Sequence, residues 1–133
     1  NSSWIMKGLI DFLVSDDEVA AQLRSRFVFK LIPMLNPDGV VNGNCRFGST
    51  GQDLNRQWRK PDSKDHPEIF HTRSMIEATT KERELVLFCD IHGHSQKFNA
   101  FLYGCDASSW AGYPQKTPGP ELEERFFPAR LCQ

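Results

Sequence analysis

The sequence predicts an α/β layer fold. Helical and strand-like hydrophobic periods follow one another along one chain, and the strand-like runs are short, apolar and bounded by turn residues. Composition adds a third observation. With 133 residues, 39% hydrophobic and 25% charged, the chain is long enough for one domain with its own core and too apolar to be disordered.

The elements follow in order. Residues 2–13, SSWIMKGLIDFL, set Trp4, Leu9, Phe12 and Leu13 on one side of a helix, behind an Asn-Ser-Ser opening suited to a cap. DDEVAAQLRSR, 16–26, is a second short helix with acids first and arginines last, the order the helix dipole favours. RFVFKLIPML, 26–35, reads as a buried strand, and Asn36-Pro37-Asp38-Gly39 as the turn after it. From Val40 to Lys60 periodicity stops in a stretch rich in Gly, Asn, Ser and Arg; a polar loop this long is more often functional than not. HPEIFHTRSMIEATTKE, 66–82, recovers helical spacing through Ile69, Phe70, Met75 and Ile76. ELVLFCDI, 84–91, is a second buried strand, and AFLYG, 100–104, a third. The Gly-, Pro- and Ser-rich stretch after Cys105 is loop, and ELEERFFPARLCQ starts a helix that Pro128 or the chain end interrupts.

Several function classes are disfavoured. Net charge is −1 and the pI about 6.5, so there is no electrostatic footprint for nucleic acid. No apolar run reaches membrane-spanning length. Cys45, Cys89, Cys105 and Cys132 form no CxxC pair and read as reduced, structural thiols of a cytosolic protein, Cys89 as a small hydrophobe inside a strand. Asn1 stands where an initiator Met would, so the chain is expected to be a piece of a longer or processed protein.

In open α/β sheets ligands gather at the carboxyl ends of strands. Both strong strands end in polar signatures, NPDG and DIHGH, which would place the 40–60 loop and the His92/His94 pair on one rim. Such a histidine pair suits a metal site, a catalytic pair or a polar loop. The loop carries Arg46, Arg56 and Arg59 beside Asn42, Asn44, Asn55 and Asp53. Any one arginine there is ordinarily just solvated. The cluster as a whole offers planar forks that match carboxylates, with amide donors beside them.

N-P-D-G (36–39), G-N-x-R (43–46), D-L-N-R-Q-W (53–58) and D-x-H-G-H-S (90–95), in this order, resemble the zinc metallocarboxypeptidases. More narrowly the chain resembles their cytosolic carboxypeptidase subfamily, through Leu102-Tyr103-Gly104-Cys105 and Glu124-Arg125-Phe126-Phe127-Pro128 as well. The resemblance implies a partial carboxypeptidase-like fold, a mixed central sheet flanked by helices and truncated at both ends, with residues 1–133 the central part of one catalytic domain. It implies a Zn2+ enzyme removing glutamate from acidic C-terminal protein tails such as tubulin's, in the cytoplasm and in association with the cytoskeleton.

Carried over by position, the resemblance makes His92 a zinc ligand, and His94 a loop-shaping or substrate-side residue. Arg46 would stabilise the oxyanion, Asn55 and Arg56 would clamp the substrate's terminal carboxylate, and Asp53 would orient a zinc-binding histidine. It also implies a cis peptide between Gly93 and His94. A catalytic zinc needs about three protein ligands. The family's HxxE pair would lie just before N-S-S-W, and its general-base glutamate beyond the chain; Glu121, Glu123 and Glu124 read as a charged helix face. The 133-residue chain alone is therefore expected to be inactive. Two alternatives are a metal-free module that binds carboxylate-ended peptides and a structural fragment with no role of its own. His66 and His71 read as surface or packing residues, Trp4, Trp58 and Trp110 as packing, and Tyr103 as strand core.

Overall fold

The computed structural model describes residues 2–105 and 121–131, and the chain divides into two compact units, residues 1–93 and 94–133. The first unit is helical where the sequence period is helical. Helices α1 (Ser2–Val14) and α2 (Glu18–Arg26) pack on each other, with Leu13 and Ala20 as their buried residues. Asp17 caps α2 by accepting from the backbone N–H groups of Val19 and Ala20 at 2.8 and 3.2 Å. Arg24 reaches back from α2, donating to the carbonyls of Leu13 and Ser15 at 2.5 and 3.0 Å. It thereby satisfies acceptors that the end of α1 would leave open. Trp4 was expected to pack, but its side chain is 76% exposed on the first turn of α1.

NPDG forms a helix start rather than a plain turn. Asn36 is the N-cap of α3 (Pro37–Asn42), Pro37 sets the first helical φ, and Gly43 ends the helix at φ 72°, a left-handed value that suits glycine. The Asn36 carboxamide accepts from Gly39 N–H at 2.9 Å and donates to the Phe47 carbonyl at 3.2 Å. A Cβ on Gly39 would lie 2.3 Å from Asn36 Nδ2. Gly39→Ala is therefore expected to displace the cap and lower stability by about 1–2 kcal/mol, the usual cost of losing an N-cap. Gly8→Ala in mid-α1, where nothing lies within 4 Å of the added Cβ, should instead raise stability by about 0.5–1 kcal/mol. Denaturant melts of the two variants, read side by side, check the opposite signs.

Helix α4 (Pro67–Glu82) begins at His66, with Pro67 at its first position and Ile69 and Thr72 buried. His66 is itself buried. Its Nδ1 accepts from Asp62 N–H at 3.3 Å, which puts the ring proton on Nε2, 3.0 Å from Gln52 Oε1. His66 thus ties the 40–60 loop to the start of α4. The Asp62 carboxylate accepts from the backbone N–H groups of Lys64 and Asp65 at 2.7 and 3.1 Å, which hold its pKa below the ordinary carboxylate value. Arg73, nearly two turns into α4, donates to the carbonyls of Trp58 and Arg59 at 3.1 and 2.8 Å and pairs with Glu77 at 2.7 Å.

The expected strands do not pair. Among the described residues the single bridge is Phe47–Asp53, and the stretches 27–36 and 84–94 carry no strand, helix or ladder. Phe27 and Arg83, which lead into them, are extended, but Val28 and Leu87 are more than half exposed. The β-branched, aromatic pattern specifies an extended backbone with two apolar faces. It does not supply the neighbours that accept its N–H and C=O groups, and a strand without them stays solvated. The mixed central sheet is thus not formed among the described residues. For the same reason Cys89 is exposed rather than packed, and Cys45 and Cys105 are exposed free thiols.

In the second unit the 100–104 strand is likewise not formed. Tyr103 is 75% exposed, not core, and stands edge-on to Phe101 at 5.6 Å. Helix α5 (Glu121–Leu131) forms and runs through Pro128, which does not interrupt it. No cis peptide bond occurs among the described residues, so the Gly93–His94 bond is trans. None of the described helices is long and apolar enough to cross a membrane. Trp110 and Cys132 lie outside the described residues.

Candidate active site

The polar loop closes on itself before it presents anything. Gly48 N–H donates to the Gln52 carbonyl at 3.0 Å, Gly51 N–H to the Gly48 carbonyl at 3.1 Å, and Gly51 takes φ 72°. Gly48 is buried against Leu54, whose Cδ2 would stand 3.3 Å from an added Cβ. This closure brings residues 46 and 53 together.

The Arg46 guanidinium meets Asp53 through Nε–Oδ2 at 3.3 Å. The Asp53 side chain is 17% exposed and the Arg46 side chain 64%, so a largely buried carboxylate anchors a guanidinium that reaches into solvent. The other Asp53 oxygen, Oδ1, accepts from Asn55 N–H at 3.0 Å and starts the 3-10 turn Leu54–Arg56. The exposed Arg56 guanidinium bends back to the Asn55 carbonyl at 3.4 Å. Three of the expected site residues, Arg46, Asn55 and Arg56, therefore share one short loop, with Asp53 bonded to the first two. Among the described residues Asp53 has Arg46 and Asn55 as its partners, not a histidine.

His92 is exposed, with Nε2 2.9 Å from Asp90 Oδ2. Its Nδ1 has no partner among the described residues. Trp58 and Asp90 line one open cleft of about 340 Å³ with Ile76, Leu85 and Phe88. The residue that touches Asn55 and the residue that holds His92 therefore border the same cleft. In the second unit, His94 Nδ1 accepts from the N–H groups of Gln96 and Lys97 at 3.2 and 2.9 Å, and its ring stands edge-on to Phe101 at 5.0 Å. These contacts hold the local turn around His94.

A metal-ligating histidine usually engages a carboxylate through its other ring nitrogen, which fixes the ring and leaves one lone pair for the metal. His92 with Asp90 suits that donor role. No group of three His, Cys, Asp or Glu side chains able to hold a metal ion is assembled among the described residues. One ligand thus fits zinc, and a complete set is not assembled among the described residues.

In the sequence alone Asp90 carries no signal of a role and Trp58 reads as packing. Asp90 stood inside the D-x-H block, two residues from His92 on the same side of an extended chain. Trp58 stands three residues after Asn55, the separation that a 3-10 turn brings face to face. Arg73 and Gln52 gave no sequence signal, because their partners are distant in the chain.

Residues 2–126 match the zinc carboxypeptidase family. Mouse (Mus musculus) cytosolic carboxypeptidase 3 is 48% identical over all 133 residues, which span 13% of that protein. Human (Homo sapiens) cytosolic carboxypeptidase 4 is 56% identical over 106 residues, 79% of this chain and 10% of that protein. The crystal structure of a metallo-carboxypeptidase from Burkholderia cenocepacia aligns with a TM-score of 0.54 at 40% identity, over 57% of this chain and 21% of that one.

Proposed function

The chain belongs to the zinc carboxypeptidase family, and from that premise we propose that it is the central part of a catalytic domain that removes C-terminal glutamate from acidic protein tails. Tubulin tails are the substrate that the cytosolic carboxypeptidase resemblance favours, and the cytoplasm, at the cytoskeleton, is the place of action. The observation that carries this reading is the loop in which Asp53 bonds both to Arg46 and to the backbone of Asn55, beside Arg56.

That loop holds the two tools an exopeptidase requires. Asn55 and Arg56 offer an amide donor and a charged fork for a free terminal carboxylate. Arg46, paired with Asp53 at Nε, keeps its terminal nitrogens available to stabilise a carbonyl that gains negative charge. Zinc, when bound, supplies Lewis acidity that acidifies water and polarises a carbonyl. His92, with Asp90 behind it, is the residue of this chain that would hold it.

The test is release of free glutamate by the full-length protein from a peptide ending in a run of glutamates, beside the same peptide with an amidated end. The free-ended peptide should be trimmed and the amidated one left intact. Arg56→Ala should raise KM about 10- to 100-fold with kcat little changed, as expected for a lost charged hydrogen bond. The 133-residue chain alone should bind zinc weakly and release nothing. Binding of the peptide by the full-length protein without release would favour a non-catalytic carboxylate-binding module, and equal trimming of both peptides would overturn an exopeptidase.

A further inference from the structure

We propose that Trp58 is a positioning residue for substrate, one that fixes which way the Asn55 carboxamide faces. The inference rests on the reading of Asn55 as a carboxylate-binding residue and adds to it a group that acts through Asn55. Trp58 Nε1 lies 3.1 Å from Asn55 Oδ1.

An indole N–H can only donate, so the carboxamide atom facing it must be the oxygen. The Asn55 oxygen is thereby committed inward, and Nδ2, with no partner among the described residues, is turned the other way as a donor. A substrate carboxylate accepts only. If the carboxamide rotated by half a turn, its oxygen would face that carboxylate, and the contact would change from attraction to repulsion. The indole contact therefore selects the one orientation of Asn55 that can bind a C-terminus.

Trp58 is itself held on three sides. Its ring stands edge-on to Phe88, centroids 6.3 Å apart and planes at 84°. Its carbonyl accepts from Arg73 of α4 at 3.1 Å. Its N–H is spent on Asn55. The side chain is half-buried while Asn55 is exposed. A residue anchored to a helix thus fixes the amide of an otherwise solvent-facing loop residue.

The experiment is a double-mutant cycle in the full-length protein, with a peptide ending in glutamate as the probe. Trp58→Phe keeps the ring against Phe88 and removes the N–H. It should raise KM about fivefold, the size of one neutral hydrogen bond, and leave kcat unchanged. In an Asn55→Ala background the same substitution should do nothing further, because the group through which it acts is gone. An equal rise in KM in both backgrounds would overturn the proposal and leave Trp58 a packing residue. If Asn55→Ala alone left KM unchanged, the fault would lie with the carboxylate-binding reading instead. Should Trp58→Phe fail to fold, the Trp58 indole resonance decides. Asn55→Ala should speed its N–H exchange and move its proton upfield, and an unchanged indole signal would overturn the proposal.

Discussion

Replacing His92 with alanine in the full-length protein is expected to remove both its zinc and its activity. His92 has the form of a ligand prepared for metal. Its Nε2 is 2.9 Å from Asp90 Oδ2, and the opposite ring nitrogen is without a partner among the described residues. A carboxylate behind an imidazole fixes its tautomer and makes it a better donor. Catalytic zinc is held by about three protein ligands, so removing one leaves a site that chelators or dialysis empty. Asp90→Asn should keep the ligand but weaken metal affinity about 10- to 100-fold, as loss of such a partner usually does. His94→Ala should keep its zinc, since His94 Nδ1 is occupied by the N–H groups of Gln96 and Lys97. Elemental analysis after dialysis, with glutamate release beside it, separates the three variants. One zinc per chain retained by His92→Ala would overturn the assignment.

The helices were readable in the sequence because a helix is mostly a local object. Asp17 caps α2 through its own neighbours, Ile69 is buried on the face its spacing announced, and Pro67 opens α4 where a first-turn proline belongs. The strands were readable only as extended backbone. Pairing needs a partner strand, and no periodicity within RFVFKLIPML or ELVLFCDI says which segment supplies it. NPDG shows a subtler limit. The same Asn, Pro and Gly that favour a turn also suit the start and close approach of a short helix, and the Asn36–Gly39 contact decides which forms.

The site was readable to a similar degree. Arg46, Asp53, Asn55 and Arg56 were found as residue types in motif blocks, and the loop joins them through contacts that run over a few residues. The supports were not found. His66 to Gln52 and Arg73 to Trp58 are contacts between the loop and α4, made only once the loop has closed on itself. Nothing in either residue's own neighbourhood of sequence encodes them.

Arg46→Ala should lower turnover about 100- to 1,000-fold while leaving KM nearly unchanged, the size of losing one donor to a developing oxyanion. The argument rests on how Arg46 is held. Asp53 Oδ2 engages Nε at 3.3 Å, and the two terminal nitrogens have no partner among the described residues, so a cation held from behind by Asp53 keeps donors available when charge develops. Arg46→Lys should not restore the rate. An ammonium lacks the Nε that Asp53 grips and the planar fork that sets the direction of the donors. Asp53 tests the same point from behind. Asp53→Asn keeps an oxygen for the Asn55 N–H at 3.0 Å but loses the charge that anchors Arg46, so kcat should fall and KM hold. Asp53→Ala removes both contacts, and should lower kcat and raise KM together. Steady-state rates of glutamate release across the four variants read these splits directly. If Arg46→Ala raised KM with kcat unchanged, Arg46 would belong with Asn55 and Arg56 in binding the terminal carboxylate, and the oxyanion role would fall to another group.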